Sequence, residues 1–138
     1  MKKSALLVAV LVVASLALVC CGGKKKTSPP SGLTTRIFAS QSVSSLTATP
    51  GLVIIDGTFD TVARASRISA GTAPGYMEIS PERATVMVFD AATNNIDVVS
   101  SQKETSSGTI PLPGPTTSMV AVSNTVGYVA VPSAPVIG

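Results

Sequence analysis

Two cysteines stand side by side, Cys20 and Cys21, behind an apolar run and ahead of Lys24, Lys25 and Lys26. A thiol can act as a nucleophile, a metal ligand or half of a disulfide. Adjacent cysteines are poorly placed to bridge each other, and no third one exists downstream. A structural zinc centre takes four ligands, which two cysteines and no histidine do not provide. What remains is modification of the thiol itself. Elsewhere the chemistry is sparse. Without histidine the chain lacks the usual proton shuttle near neutral pH, and a serine–lysine pair would have to use Lys103, the one lysine after Lys26. Asp56 and Asp60 lie four residues apart across a turn, as do Glu78 and Glu82 across a strand and turn, and neither pair has the ligand series of an oxygen cage. No glycine series leads into a Lys-Ser/Thr at a helix start, so phosphate cradling is not expected. The reading is of a chain that is not an enzyme, with no catalytic, metal or cofactor residues and its carboxylates solvated on loops.

The element that positions the thiols is a leader. Met1-Lys2-Lys3 is a basic start, and Ala5 to Val19 is a run of fifteen residues, apolar except for Ser15. A membrane-spanning helix needs about 20 residues and the apolar core of an export signal about 7 to 15, so the run has the size of a signal helix. The three lysines behind it favour retention, which keeps an N-terminal transmembrane anchor as the alternative. Leu18-Val19-Cys20-Cys21 resembles the lipobox of bacterial lipoproteins: an aliphatic residue, a second small or aliphatic one, a small one, then the cysteine that receives the lipid. Cys21 is the better acceptor because Leu18 stands three positions before it, where Cys20 would have Ala17. The resemblance implies that residues 1–20 are a lipoprotein signal peptide, that cleavage falls between Cys20 and Cys21, and that Cys21 carries the diacylglycerol, with palmitate the expected acyl group. It also implies the cell envelope, at the outer membrane in a Gram-negative cell because Gly22 rather than aspartate follows Cys21. Residues 21–33 read as a tether, in which glycine gives freedom, lysine keeps the chain solvated and adjacent prolines extend it.

The net charge of +3 is misleading, because five of the ten basic residues are Lys2, Lys3, Lys24, Lys25 and Lys26. From Leu33 onward five basic residues (Arg36, Arg64, Arg67, Arg83, Lys103) face all seven acidic ones. That balance removes the electrostatic case for nucleic acid. Only 12% of the chain is charged, and Val, Thr, Ser, Ala, Gly and Pro dominate, a composition for short strands and turns. The body, residues 34–138, is therefore read as all-β.

Within it a repeat is visible. Gly71 recurs as Gly114, Ile79 as Val122 and Ser80 as Ser123, each 43 positions on; Met87-Val88 recurs as Tyr128-Val129 at 41, and Val53–Asp56 as Asp97–Ser100 at 44. A period of about 40 to 45 is that of four-stranded propeller blades. Runs such as Thr85–Phe89 and Ser118–Val122 are apolar on both faces, as a sheet packed between two others requires. Asp56-Gly57 and Asn94-Asn95 mark reversals, since these residues tolerate positive φ. Ile54-Ile55-Asp56, Gly71 with Pro74, Ser80-Pro81-Glu82 and Tyr128-Val129-Ala130 resemble the YVTN repeat, whose blades run through a Val-Ile-Asp strand, a Gly-x-x-Pro turn, a Ser-Pro-Asp-Gly turn and a Tyr-Val-Ala-Asn strand. Arg83 stands where that repeat has glycine, Met87 where it has tyrosine, and Ser123-Asn124 lacks its proline.

The resemblance implies about two four-stranded antiparallel blades of an incomplete β-propeller, with a leading strand at Arg36–Ser40; an immunoglobulin-like β-sandwich is the structural alternative. Closed propellers need about four to eight blades, so Gly138 is expected to be the artificial end of a fragment of a longer chain, or the ring to be completed by several copies. The last strand, Gly127–Val131, would then be an exposed apolar edge. The expected function is that of a membrane-anchored surface or periplasmic lipoprotein presenting a propeller scaffold to a protein or polysaccharide. The alternative is the N-terminal part of a lactonase-like or redox propeller enzyme whose catalytic residues lie beyond Gly138.

Overall fold

The computed structural model describes residues 28–43 and 49–132, apart from the side chains at 64–66. The described residues form nine strands and no helix. β1 (Arg36–Gln41), β2 (Gly51–Asp56) and β3 (Thr61–Ile68) make the first sheet. β4 (Pro74–Ile79), β5 (Thr85–Asp90), β6 (Asn95–Ser100) and β7 (Thr105–Pro111) make the second, and β8 (Ser118–Ala121) with β9 (Gly127–Ala130) the third. All pairings are antiparallel and follow chain order. The all-β class expected from composition is the class observed. Only the second sheet has the four strands expected of each unit; the other two have three and two. The difference is one of phase, because the leading strand is β1, which holds the place in its sheet that β5 holds in the next, and no described strand precedes it. Three sheets also depart from the two of the immunoglobulin-like alternative.

The sheets repeat strand for strand. β2 and β6, β3 and β7, and β4 and β8 begin 44 residues apart, and β5 and β9 begin 42 apart. Alternation along β5 shows why the runs are apolar on both faces. Val86 and Val88 join Leu52, Ile54, Ile68 and Val99 in one core, whereas Met87 and Phe89 join Ile96, Met119 and Ala121 in another. The second sheet is thus covered on both faces, by the first sheet on one side and by the third on the other. Each fully buried Val, Leu or Ile stabilises the stack by about 1.5–3 kcal/mol.

Turn chemistry sets the registers. Ser80 Oγ accepts hydrogen bonds from the N–H groups of Ala84 (3.2 Å) and Thr85 (3.1 Å), closing the β4–β5 turn. In that turn Arg83 holds the left-handed conformation (φ 58°) that a glycine would adopt without strain. The reversal after Asp56 differs from expectation: the left-handed residue is Asp60 (φ 53°), whose N–H bonds Asp56 O at 2.8 Å. Glu104, 44 positions on, repeats it with φ 54° and the same 2.8 Å bond to Ser100 O. Asn94 is left-handed as expected, at φ 52°.

Ser31 and Leu33, which composition assigns to a tether, are held against the sheets. Ser31 donates from both N–H (2.7 Å) and Oγ (2.5 Å) to the Glu104 carboxylate, and Leu33 packs against the first core. A Ser-Gly-Leu stretch reads as linker because its partner is 73 residues away in sequence.

Candidate functional site

The cysteines on which the sequence reading turns, Cys20 and Cys21, lie outside the described residues, as does the expected signal helix. Among the described residues no helix is long and apolar enough to cross a membrane, and no three His, Cys, Asp or Glu side chains group as metal ligands would.

The carboxylates divide into two kinds. Asp56 closes its own turn, accepting the Thr58 N–H at 2.8 Å. Asp60 and Glu82 are exposed, Glu78 is half-buried on β4, and Lys103 is exposed on the β6–β7 turn. Asp90, Asp97 and Glu104, in contrast, are buried, so solvated loops are the wrong setting for these three. Asp90 ends β5 and binds two turns at once. Its carboxylate accepts the N–H groups of Ala73 (2.8 Å), Thr72 (3.2 Å) and Ala92 (3.2 Å) and the Thr93 hydroxyl (2.7 Å). Burial by itself would raise the Asp90 pKa, but the Thr93 hydroxyl and the three N–H donors outweigh it and hold the carboxyl below the ordinary aspartate value. Gly71, at φ 76°, has its α-carbon so near this carboxylate that an added Cβ would overlap it. The Gly71-to-Pro74 turn of the repeat is therefore built around Asp90. A strand-ending Asp followed by Ala-Ala-Thr-Asn is the signal, because such an Asp caps the turn that follows.

Asp97 accepts the Thr109 hydroxyl at 2.8 Å across β6 and β7. Glu104 takes the Ser31 donors and a 2.9 Å ion pair with Arg36, whose guanidinium also donates to Ser101 O. Arg36 lies 5.9 Å from the centroid of the Phe38 ring as well. Asn124, where the repeat loses its proline, links two sheets: its Oδ1 accepts from Ser80 Oγ at 2.7 Å, its carbonyl accepts from Thr85 Oγ1 at 2.9 Å, and its amide donates to the Glu82 carboxylate. The buried chemistry is thus spent within and between the sheets.

What stays open is a groove beside β9. Its floor is the face of the second sheet carrying Met87, Ile96, Val98, Ile110 and Leu112, and its wall is Val129 with the Ser123–Gly127 turn. The repeat explains why it is open. In the first sheet the cross-strand pair Leu52–Ile68 is 0% and 3% exposed, in one core with Val86, Val88 and Val99 of the next sheet. The equivalent pair in the second sheet is Ile96–Ile110, and there Ile110 is 52% exposed. β5 carries β6 on its far edge, and β6 supplies Val99; β9 carries no described strand on the corresponding edge. A smaller groove runs between Arg36 and Phe38 of β1 and Met77 to Ile79 of β4, beside the edge of β1 on which no described strand pairs. Both grooves therefore lie beside strand edges that no described strand pairs. The groove beside β9 offers an apolar surface rimmed by hydroxyl and amide groups such as Thr85, Ser123 and Asn124, whereas the smaller one carries the charged Arg36 and Glu78.

Comparison of the chain with protein-family models, with curated proteins and with solved structures finds no match.

Proposed function

We propose that the chain is a lipid-anchored protein of the bacterial cell envelope, whose stacked sheets are blades of a YVTN-type propeller repeat that acts as a binding scaffold rather than a catalyst. The observation that carries the scaffold reading is the use of the buried carboxylates. Asp90, Asp97 and Glu104 are each consumed by hydrogen bonds that hold turns or join strands and sheets, while the open groove is lined by apolar side chains. The near-constant 44-residue spacing of equivalent strands supports blades over unrelated sheets. The anchor rests on Leu18-Val19-Cys20-Cys21 at the end of a signal-sized apolar run. A protein or a polysaccharide is the partner class such a surface fits, and the membrane is reached through the lipid on Cys21.

The test of the anchor is metabolic labelling of the full chain, expressed in a bacterium that processes lipoproteins, with an alkyne analogue of palmitate. Label is expected on the wild type and on Cys20→Ser, and none on Cys21→Ser. Label that survives Cys21→Ser and disappears in Cys20→Ser would move the site by one residue. An unlabelled wild type that stays in the membrane with residues 1–20 intact would replace the lipid by a transmembrane anchor.

A further inference from the structure

We infer that the stack of sheets stands on the membrane by one defined end, with the turns at 57–60, 80–84, 101–104 and 122–126 toward the bilayer and the loops at 69–73, 91–94 and 112–117 away from it. The inference rests on the anchor at Cys21 proposed above, and adds which surface of the scaffold meets lipid headgroups. Antiparallel pairing in chain order sends alternate turns to opposite ends. The three sheets agree on which end is which. Arg36 donates to Ser101 O and Asn124 accepts from Ser80 at one end, and Ser42 donates to Pro74 O at the other. The chain enters at the first of these ends. Ser31 bonds Glu104 through its N–H and Oγ, Arg36 closes a 2.9 Å ion pair on the same carboxylate, and Thr35 O accepts the Gly57 N–H at 3.0 Å.

That latch sets the reach. Ten residues lead from Cys21 to Ser31, and ten residues span at most about 33–36 Å in any conformation. A six-residue strand such as β2, β5 or β6 is about 20 Å long, and with the turns at both ends the stack is about 30 Å tall. Inverting it on the membrane lifts Ser31 by that height and draws the ten residues almost straight, whereas the upright stack leaves most of their length unused. Charge gives a second, independent reason. The exposed charges on the described turns are Asp60, Glu82, Arg83 and Lys103, all at the end where Ser31 is held. Residues 69–73, 91–94 and 112–117 carry no charged side chain. Two acids and two bases can pair with the ammonium and phosphate of a zwitterionic headgroup. The uncharged loops have no such attraction, which leaves their hydroxyl and amide groups to a partner outside the membrane.

The experiment uses the full chain, purified with its lipid and bound to phosphatidylcholine vesicles that carry a trace of rhodamine-labelled headgroup. A fluorescent maleimide is attached through Thr58→Cys at the first end or through Ala92→Cys at the second. Both positions are exposed and bond a neighbouring aspartate through the backbone N–H, which cysteine keeps. With Cys20 removed and Cys21 acylated, the introduced thiol alone takes the label. Energy transfer to the headgroups should be at least about twofold stronger from position 58 than from position 92. Inserting a Gly-Ser segment of about 20 residues after Thr27, which lengthens the reach by up to about 70 Å, should narrow that difference. A chain that does not float with the vesicles removes the anchor, and this inference with it. In a chain that does float, equal transfer from the two positions, or stronger transfer from Ala92→Cys, overturns the inference and leaves the anchor standing.

Discussion

Asp90 is the residue on which the second sheet's turns depend, and its removal should show this in a measurable way. The carboxylate is 1% exposed and accepts four hydrogen bonds. A hydrogen bond to a charged group contributes about 1.5–3 kcal/mol, and a buried donor left without its acceptor costs about 1–3 kcal/mol. Thr72, Ala92 and Thr93 are exposed residues, so water can replace the carboxylate for their donors and their share is small. The Ala73 N–H, at 2.8 Å and half-buried, has no such substitute. Asp90→Ala should therefore cost about 3 kcal/mol. For a domain of about 100 residues that lowers Tm by about 12–24 °C. Asp90→Asn keeps the shape and one acceptor oxygen, and should lose about half as much. The pH dependence has a defined sign. Because the folded pKa is lowered, the ionised carboxylate stabilises the fold above the unfolded value of about 3.9, and that stabilisation fades as pH falls through the folded pKa. The stability gap between wild type and Asp90→Asn should thus be full at pH 6 and shrink below about pH 4. Urea unfolding followed by circular dichroism across this range measures it. A loss under about 1 kcal/mol for Asp90→Ala, or a gap that does not change with pH, would refute the reasoning.

Three further substitutions probe the joints between elements. Arg36→Ala leaves the Glu104 carboxylate, 4% exposed, with only the Ser31 donors among the described residues, and should destabilise by about 2–3 kcal/mol in thermal melts. Asn124→Ala removes the clamp between the second and third sheets and should cost about 1–2 kcal/mol, with hydrogen exchange rising first at β8 and β9. Gly71→Ala forces a Cβ onto the Asp90 carboxylate from a left-handed backbone, and should cost at least about 2 kcal/mol. Combined with Asp90→Ala it should cost less than the two single losses together, since the overlap then disappears.

Much of the fold can be read along the chain, for physical reasons that are local. A run such as Thr85–Phe89 is apolar at every second and every intervening position, so only a strand covered on both faces satisfies it. β5 is that strand. The spacings of 43 and 44 found between Gly71 and Gly114 or Val53 and Asp97 are the period of the sheets, because each unit repeats the same turns and the same strand lengths. The Ser80 and Asn94 turns follow from side chains that bond or accommodate their own backbone.

The candidate site was not legible in that way. Ile110 looks like any strand isoleucine; that it is half-exposed depends on what lies beside β9, a strand 17 residues further on. Glu104 and Asp97 look like solvated acids, and only their pairing with Ser31, Arg36 and Thr109 makes them structural. Asn124 reads as the loss of a proline, and the fold turns it into a clamp on Ser80. By itself, then, the sequence determined the all-β class and most of the turns, because each depends on residues within about ten positions of one another, and it showed the period as a recurrence of those local patterns. The tertiary structure alone decided how the strands divide into sheets of three, four and two, which acids are buried and which apolar face is left open. Those outcomes depend on contacts between units 40 or more residues apart, such as Arg36 with Glu104, and no local pattern encodes them.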